Sequence, residues 1–146
     1  MGTALLIGVS QYEQSSFPAL SAPAQDVSEF QELLRHPQIG ASRRSDLTPL
    51  NDPTVRELRN AIEILCSNRR PDELVLIYFS GYGIVDDRGQ LFLPCRDTDP
   101  TRLDQTAYSS QEMLACLEAC RSQQQVIILD CCFSGTFAKG MVAPAD

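Results

Sequence analysis

Three uninterrupted apolar runs, separated by segments of helical periodicity, constrain the fold of this chain more than any other feature. The runs cover residues 4–9, 74–79 and 126–129. A strand with one face in water alternates polar and apolar residues, whereas a run that is apolar throughout is typical of a strand covered on both faces. The chain is therefore predicted to form a mostly parallel β-sheet with helices on both sides, which is an α/β fold.

The segments between these runs have the periodicity of amphipathic helices. The clearest apolar stripe is made by Val55, Leu58, Ile62 and Leu65. Asp52 is expected to cap this helix and Pro53 to take its first position, because a side-chain acceptor and a preset φ suit those places. Ser109 and Glu112 have the spacing of a capping box and predict the start of a later helix.

Shorter elements complete the predicted order. The pattern indicates a helix over residues 23–35 and short strands near residues 47–50 and 91–93. The 146 residues are enough for one domain with a single core and too few for two ordinary ones. We therefore expect residues 1–146 to form one domain.

Charge and hydropathy argue against several classes of partner. The formal net charge of −7 disfavours a surface that follows nucleic-acid phosphates. No apolar run approaches the roughly 18 residues of a membrane-spanning helix, and the first residues lack the basic region of a signal peptide. We expect a soluble, cytoplasmic protein that binds neither nucleic acid nor membrane.

The six cysteines are expected to be reduced. Cys66, Cys116 and Cys120 fall on apolar helical patterns, where a thiol behaves as a small hydrophobe. Disulfides are typical of secreted chains, and no secretion signal is seen here. A single histidine and the lack of a Cys-x-x-Cys pair argue against a metal site, so no cofactor is expected.

Two of the predicted strands end in small, chemically capable residues. Residues 80–83 read Ser-Gly-Tyr-Gly, and residues 130–135 read Asp-Cys-Cys-Phe-Ser-Gly. Ligands and chemistry collect at the carboxyl ends of the strands in parallel sheets. Position alone leaves two interpretations of the thiols open, which are a reactive site at the rim of the sheet and a buried cysteine pair that fills a strand end.

Four stretches, in order, carry a resemblance to a known family. They are residues 5–10 (LLIGVS), 24–27 (AQDV), 78–83 (YFSGYG) and 130–135 (DCCFSG), the last two being similar to Y-F-S-G-H-G and D-C-C-H-S-G. In addition, Tyr82 precedes Cys132 by 50 positions, the spacing of the caspase histidine and cysteine. The chain resembles the caspase and metacaspase cysteine peptidases, and most closely the bacterial orthocaspases.

This resemblance implies a fold and a set of residue roles. The fold would be the three-layer α/β/α caspase-hemoglobinase-like fold, with its main strands in the order 2-1-3-4. Cys132 would be the nucleophile, and the backbone N–H groups of Gly83 and Cys132 would form the oxyanion hole. Asp130 and Asp26 would form an acidic S1 pocket, so that the substrate would be a peptide or protein with Arg or Lys at P1.

Tyr82 departs from the family pattern, because it occupies the position of the catalytic histidine. A tyrosine with a pKa of about 10 is a poor base near pH 7. Two interpretations follow. In the first, the chain is a catalytically impaired pseudopeptidase that keeps the fold and the pocket; in the second, it is a slow endopeptidase in which Tyr82 donates a hydrogen bond.

His36 and the segment after the first strand bear on two other candidate activities. His36 cannot replace the missing histidine, because it closes a helix that runs away from the rim and should lie roughly 18 Å from it. A nucleotide-binding domain is a further alternative, but residues 10–13 read Ser-Gln-Tyr-Glu and offer no glycine-rich phosphate loop.

The resemblance also raises expectations about metal and partners. Calcium is used by many metacaspases, and the loop candidates for it are Asp86, Asp87, Asp97 and Asp99. The chain is expected to be a large catalytic subunit that lacks the small-subunit region. Its last strand would then lie at an edge, where a small-subunit partner or a second copy could pair with it. Lys139 resembles a processing site of the family.

Overall fold

The computed structural model describes residues 2–36 and 45–133. The strands are β1 (Gly2–Gly8), β2 (Ser45–Asn51), β3 (Leu74–Tyr82), β4 (Ile84–Val85), β5 (Leu91–Leu93), β6 (Tyr108–Ser109) and β7 (Gln124–Cys132). The helices are α1 (Ala22–Arg35), α2 (Val55–Cys66), α3 (Leu103–Thr106) and α4 (Ser110–Ala119). Ser134, Gly135 and Lys139, which the sequence analysis singled out, lie outside the described residues.

The main sheet has the predicted strand order. Its four strands run β2-β1-β3-β7, and every neighbouring pair is parallel. The predicted order 2-1-3-4 is confirmed, with β7 as the fourth main strand. The short strand expected near residues 91–93 is β5, which pairs with β4 and β6 in a small antiparallel sheet.

Helices cover both faces of the main sheet. On one face, alternate residues of β3 such as Ile77 and Phe79 pack with Ile62 of α2 and Leu117 of α4. On the other face, Tyr78 and its neighbours pack with α1. Because successive side chains of a strand point to opposite faces, burial of both faces requires an apolar residue at nearly every position of β1 and β3. This confirms the predicted α/β architecture.

The cap of α2 differs from the prediction. Thr54, not Asp52, is the N-cap, since the Thr54 side chain accepts the N–H of Glu57 and the Glu57 carboxylate accepts the N–H of Thr54. Asp52 has a φ of +52°. Its carboxylate accepts the N–H groups of Ser10 at 2.7 Å and Gln11 at 3.0 Å. The aspartate therefore connects the end of β1 to the start of α2 instead of capping the helix.

The start of α4 agrees with the prediction. The Ser109 hydroxyl accepts the N–H of Glu112 at 3.1 Å. The Glu112 side chain forms an ion pair with Arg59 of α2 instead of the return hydrogen bond of a capping box, so it joins α4 to the neighbouring helix. No helix in the described part of the chain is long and apolar enough to cross a membrane.

The last strand is exposed, and the prediction that it is buried on both faces is wrong. Val126, Ile128 and Leu129 are 43%, 38% and 37% exposed. The reason lies in the topology, because β7 pairs with β3 on one side and is the last strand of the sheet on the other. Its apolar side chains are therefore only half covered by the residues that the structure describes.

Candidate active site

The register of β3 and β7 fixes which side chains share a face. Ser80 pairs with Asp130, and Tyr82 pairs with Cys132. Because side chains alternate along a strand, Asp130 and Cys132 point to the face occupied by Ser80 and Tyr82, and Cys131 points to the opposite face. The two strand ends therefore lie side by side at the carboxyl edge of the sheet.

An open cavity of about 500 Å³ lies at this edge, between the start of α1 and the ends of β3 and β7. It is lined by Leu20, Ser21, Ala22, Pro23, Asp26, Ser80, Gly81, Asp130, Cys131, Cys132 and Phe133. Two carboxylates and the exposed thiol of Cys132 thus share one cavity. Among the described residues that line it, none is basic.

Hydrogen bonds from β3 hold both carboxylates in place. The Ser80 hydroxyl donates to Oδ2 of Asp26 at 2.9 Å, and the Tyr78 hydroxyl donates to Oδ2 of Asp130 at 3.4 Å. Burial first, and then the charges of Asp26 and Asp130, raise the pKa of Tyr78 to about 12. The tyrosine is therefore a neutral donor near pH 7. A carboxylate has about four acceptor sites, so both retain acceptor capacity for a cationic ligand.

Tyr82 is enclosed by its own neighbours. Its side chain is 4% exposed, and its hydroxyl donates to the backbone carbonyl of Pro18 at 2.8 Å. Its ring centroid lies 5.1 Å from that of Tyr12 and 5.6 Å from that of Phe17. Burial first, and then Cys132, raise the pKa of Tyr82 above its ordinary value. Tyr82 thus anchors the segment between β1 and α1.

Tyr12 is a site residue that the sequence analysis missed. Its hydroxyl donates to the carbonyl of Val9 at 2.9 Å and accepts the N–H of Tyr82 at 3.2 Å. Burial raises the pKa of Tyr12. The only signal in the sequence is an aromatic residue close behind the first strand, which is too common a pattern to identify a bridge between two strand ends.

The N–H group expected in the oxyanion hole has a partner within the sheet. Gly83 donates its N–H to the carbonyl of Cys132 at 3.2 Å. Cys131 packs against the core, and burial, followed by Asp130 and Cys132, raises the pKa of its thiol to about 12. Cys132 is exposed at the end of β7. The arrangement presents one accessible thiol next to two carboxylates.

Comparison with known families identifies the family of the chain. The sequence model of the caspase domain matches residues 1–146. The chain belongs to the caspase domain family. The family consists of cysteine-type peptidases, which are hydrolases that act on peptide or protein substrates. A comparison with curated proteins found no match.

In this caspase domain His36, the residue considered as a substitute base, is not among the residues that line the cavity. His36 follows the last residue of α1, whereas Ala22 and Pro23 at the start of that helix line the cavity. The 14 residues of α1 therefore place His36 about 20 Å along the helix axis from the residues that line the cavity.

Three of the four loop aspartates proposed for calcium have local hydrogen-bond partners. Asp86 accepts the N–H groups of Arg88 and Gln90 in a turn. Asp97 accepts the N–H of Val55 at the start of α2, and the Asp99 side chain accepts the N–H of Thr101. In the described part of the caspase domain, no group of three or more histidine, cysteine or acidic side chains is arranged to hold a metal ion.

Gly83 approaches β7 too closely for any side chain. A Cβ atom at this position would lie 2.8 Å from Cβ and 2.9 Å from Sγ of Cys131, and 3.2 Å from Cε1 of Phe133. We expect Gly83→Ala to lower the free energy of unfolding by about 1–3 kcal/mol, because β7 must move to relieve the overlap. Urea denaturation measures this loss, and the rate at which a disulfide reagent modifies Cys132 should change with it.

Gly89→Ala is the contrasting variant for this measurement. Nothing lies within 4 Å of a Cβ at Gly89, but its φ is +81°, so only conformational strain of about 1 kcal/mol is expected. The reactivity of Cys132 should stay at the parent value in this variant. A Gly83→Ala protein as stable as the parent would contradict the close approach of the two strand ends.

Proposed function

We propose that this caspase domain binds basic side chains of peptides or proteins in the cavity beside Cys132, and that it is a catalytically impaired member of the peptidase family. One observation carries the proposal. The acidic cavity and the thiol are in place, while the position of the general base holds a buried tyrosine whose hydroxyl donates to Pro18. The domain therefore keeps the groups that would bind a basic ligand and lacks the general base that would assist its hydrolysis.

The acidic character of the cavity supports the basic preference. Asp26 and Asp130 come from α1 and β7 and line the same space, with no basic residue among its described lining. A guanidinium or ammonium group entering the cavity can form charge-assisted hydrogen bonds to them, which are roughly twice as strong as neutral ones. Asp26 and Asp130 are the proposed S1 residues, and Arg or Lys is the proposed P1 residue.

The catalytic impairment follows from the chemistry of Cys132 and Tyr82. An unassisted thiol with a pKa of about 8.5 is only a few per cent thiolate at pH 7. A histidine would accept its proton and return one to the leaving amine, a contribution of roughly 10²–10⁴ in rate. Burial raises the pKa of Tyr82, which makes it a weaker acid than free tyrosine and keeps it neutral at pH 7.

The alternative is a slow endopeptidase in which Tyr82 donates a hydrogen bond to the oxyanion or the leaving group. The geometry favours impairment over this alternative, because the Tyr82 hydroxyl donates to the Pro18 carbonyl at 2.8 Å. The N–H of Gly83, the proposed oxyanion donor, is likewise directed to the carbonyl of Cys132. Both groups would need to change partner before they could act on a substrate.

Two finer assignments belong to the same proposal. We propose that the chain is similar to the bacterial orthocaspases, and its Asp-Cys-Cys motif at residues 130–132 supports this. A small-subunit partner or a second copy is proposed at the edge of β7, where Val126 and Ile128 are 43% and 38% exposed. An open strand edge with apolar side chains favours pairing with another strand.

The recognition part of the proposal is tested with a matched pair of ligands. One peptide ends in arginine, and the other ends in citrulline, which has the same shape without the charge. We expect the arginine peptide to bind at least about tenfold more tightly by calorimetry, since only the guanidinium makes charge-assisted contacts with Asp26 and Asp130. Asp26→Asn should remove most of this difference.

The control for that variant is Asp46→Asn. Asp46 is an exposed residue of β2 that pairs with Thr3, at the opposite end of the sheet from the cavity. It changes the net charge by the same amount, so the preference for arginine should persist in it. Equal affinity of the two peptides for the parent protein would refute the proposed pocket.

A further inference from the structure

A second cavity, of about 760 Å³, lies where α2 ends and α4 passes beside it. Its lining combines thiols with positive charge, in the residues Glu63, Cys66, Ser67, Asn68, Arg69, Arg70, Cys116, Ala119 and Arg121. The two cysteines, Cys66 and Cys116, are partly exposed. The prediction that they are core residues is therefore only partly right, because each has one side on the core and one side on an open cavity.

The two thiols approach each other from different helices. Cys66 is the last residue of α2, and the Cys116 thiol of α4 donates to the backbone carbonyl of Ile62 at 3.9 Å. Ile62 lies one helical turn before Cys66, so this contact brings the two sulfurs together on the same face of α2. Burial first, and then the thiols of Cys116 and Cys120, raise the pKa of Cys66.

Three arginines and one carboxylate, that of Glu63, line this cavity in a chain whose net charge is −7. Arg69 and Arg70 are partly neutralised, since they pair with Glu73 at 3.2 Å and Asp72 at 2.7 Å. Arg121 makes no ion pair with any residue in the two segments that the structure describes. The cavity therefore offers the cation of Arg121 to an anionic ligand beside two oxidisable thiols.

We propose that Cys66 and Cys116 form a second reactive thiol site, which exchanges with a small disulfide that carries carboxylates, such as glutathione disulfide. The Cys116 thiolate attacks one sulfur of the small disulfide, forms a mixed disulfide and releases one thiolate. Cys66 then loses its proton to solvent and attacks the Cys116 sulfur, which releases the second small thiol. Two protein thiols are oxidised to one disulfide, and one small disulfide is reduced to two thiols.

The raised pKa of Cys66 sets the order of the two attacks. A thiol must be ionised to act as a nucleophile, so Cys66 is slow against a free disulfide in solution. Against a mixed disulfide held on Cys116, its proximity compensates for its low ionised fraction. Arg121 would hold a carboxylate of the incoming ligand and raise its local concentration. The resulting disulfide would link α2 to α4.

The site is separate from the first cavity. Cys66 ends α2, after which the chain turns back into β3, so it lies at the amino edge of the sheet. Cys132 lies at the carboxyl edge. The nine residues of β3 separate these edges by about 30 Å. The proposal therefore stands or falls independently of the proposed function.

The experiment uses the Cys132→Ser protein, so that the exposed thiol of the first cavity does not react. After incubation with glutathione disulfide, peptide mapping without reductant should show a Cys66–Cys116 disulfide and two glutathione molecules released. Adding Cys66→Ser should trap a mixed disulfide on Cys116, whereas adding Cys116→Ser should leave the protein largely unmodified. Thermal denaturation of each variant verifies that it is folded.

Arg121→Gln tests the role of the charge, with Arg88→Gln as its control, because Arg88 is exposed and lies outside the cavity. The Arg121 variant should react several-fold more slowly and lose the salt dependence of the parent rate. The Arg88 variant should match the parent. A disulfide to Cys120, equal rates in the Arg121 and parent proteins, or an unreactive pair would each overturn the proposal.

Discussion

Replacing Tyr82 with histidine in the intact protein is expected to raise the hydrolysis of peptides with Arg at P1 by roughly 10²–10⁴-fold over the parent. Tyr82 pairs with Cys132 across β3 and β7, so a histidine at this position would sit beside the thiol. Its imidazole titrates near pH 6.5 and can accept the thiol proton at neutral pH. The activity of the variant should therefore increase as the pH rises through this range.

The same change has a cost in stability. Histidine loses ring contacts with Tyr12 and Phe17 and the hydrogen bond to the carbonyl of Pro18. A lost buried hydrogen bond and a partly emptied site together cost about 1–3 kcal/mol. The assays are therefore performed well below the melting temperature of the variant, with fluorogenic peptides and with an arginine chloromethylketone that labels Cys132.

Tyr82→Phe is the matched control for this prediction. It keeps the ring and removes the hydroxyl, so it should be inactive and should lose about 1 kcal/mol of stability. If the parent has slow activity that Tyr82→Phe abolishes, the alternative of a working tyrosine gains. Adding Cys132→Ala to Tyr82→His should abolish turnover. A Tyr82→His protein that is folded, inactive and slow to label would contradict the proposal that the lack of a general base at position 82 impairs the domain.

Phe79→Ala is expected to lower the free energy of unfolding by about 3–5 kcal/mol. Phe79 is fully buried between the sheet and the helices α2 and α4. Its removal leaves a cavity that surrounding side chains fill only in part. Domains of this kind are stable by about 5–15 kcal/mol in total, so this single change removes a large share of the stability.

Urea denaturation of the parent and the variant measures this effect from the shift of the midpoint. Ile64→Ala is the comparison, because it also truncates an apolar side chain but lies on α2 with 69% of its surface exposed. Its effect should stay within about 0.5 kcal/mol. A Phe79→Ala protein that loses less than about 1 kcal/mol would show that this face of the sheet is not tightly packed.

The parts of the fold that depend on periodicity could be predicted from the sequence. The apolar runs at residues 4–9 and 74–79 predicted buried parallel strands, and both are found. Strand order and the meeting of the two motifs followed from the resemblance. The apolar face of α2 and the Ser109 N-cap could likewise be predicted from the sequence, since each depends on residues close together in the chain.

Features that depend on distant contacts could not be predicted. Asp52 looked like a cap, but its carboxylate is held by the N–H groups of Ser10 and Gln11, more than 40 positions earlier. The strand at residues 126–129 looked buried because its composition is that of a central strand, and only the strand order implied by the resemblance, not its own residues, placed it at the edge. The hydrogen bond from Tyr82 to Pro18 had no sequence signal.

The hydrogen bond from the Gly83 N–H to the carbonyl of Cys132 has a consequence for any turnover by this domain. For that N–H to donate to an oxygen that develops negative charge, the last hydrogen bond between β3 and β7 must first break. The competent conformation is then a minority species, and the observed rate falls in proportion to its population. A bound peptide or another chain that displaces the end of β7 would shift the equilibrium toward the competent conformation and so activate the domain.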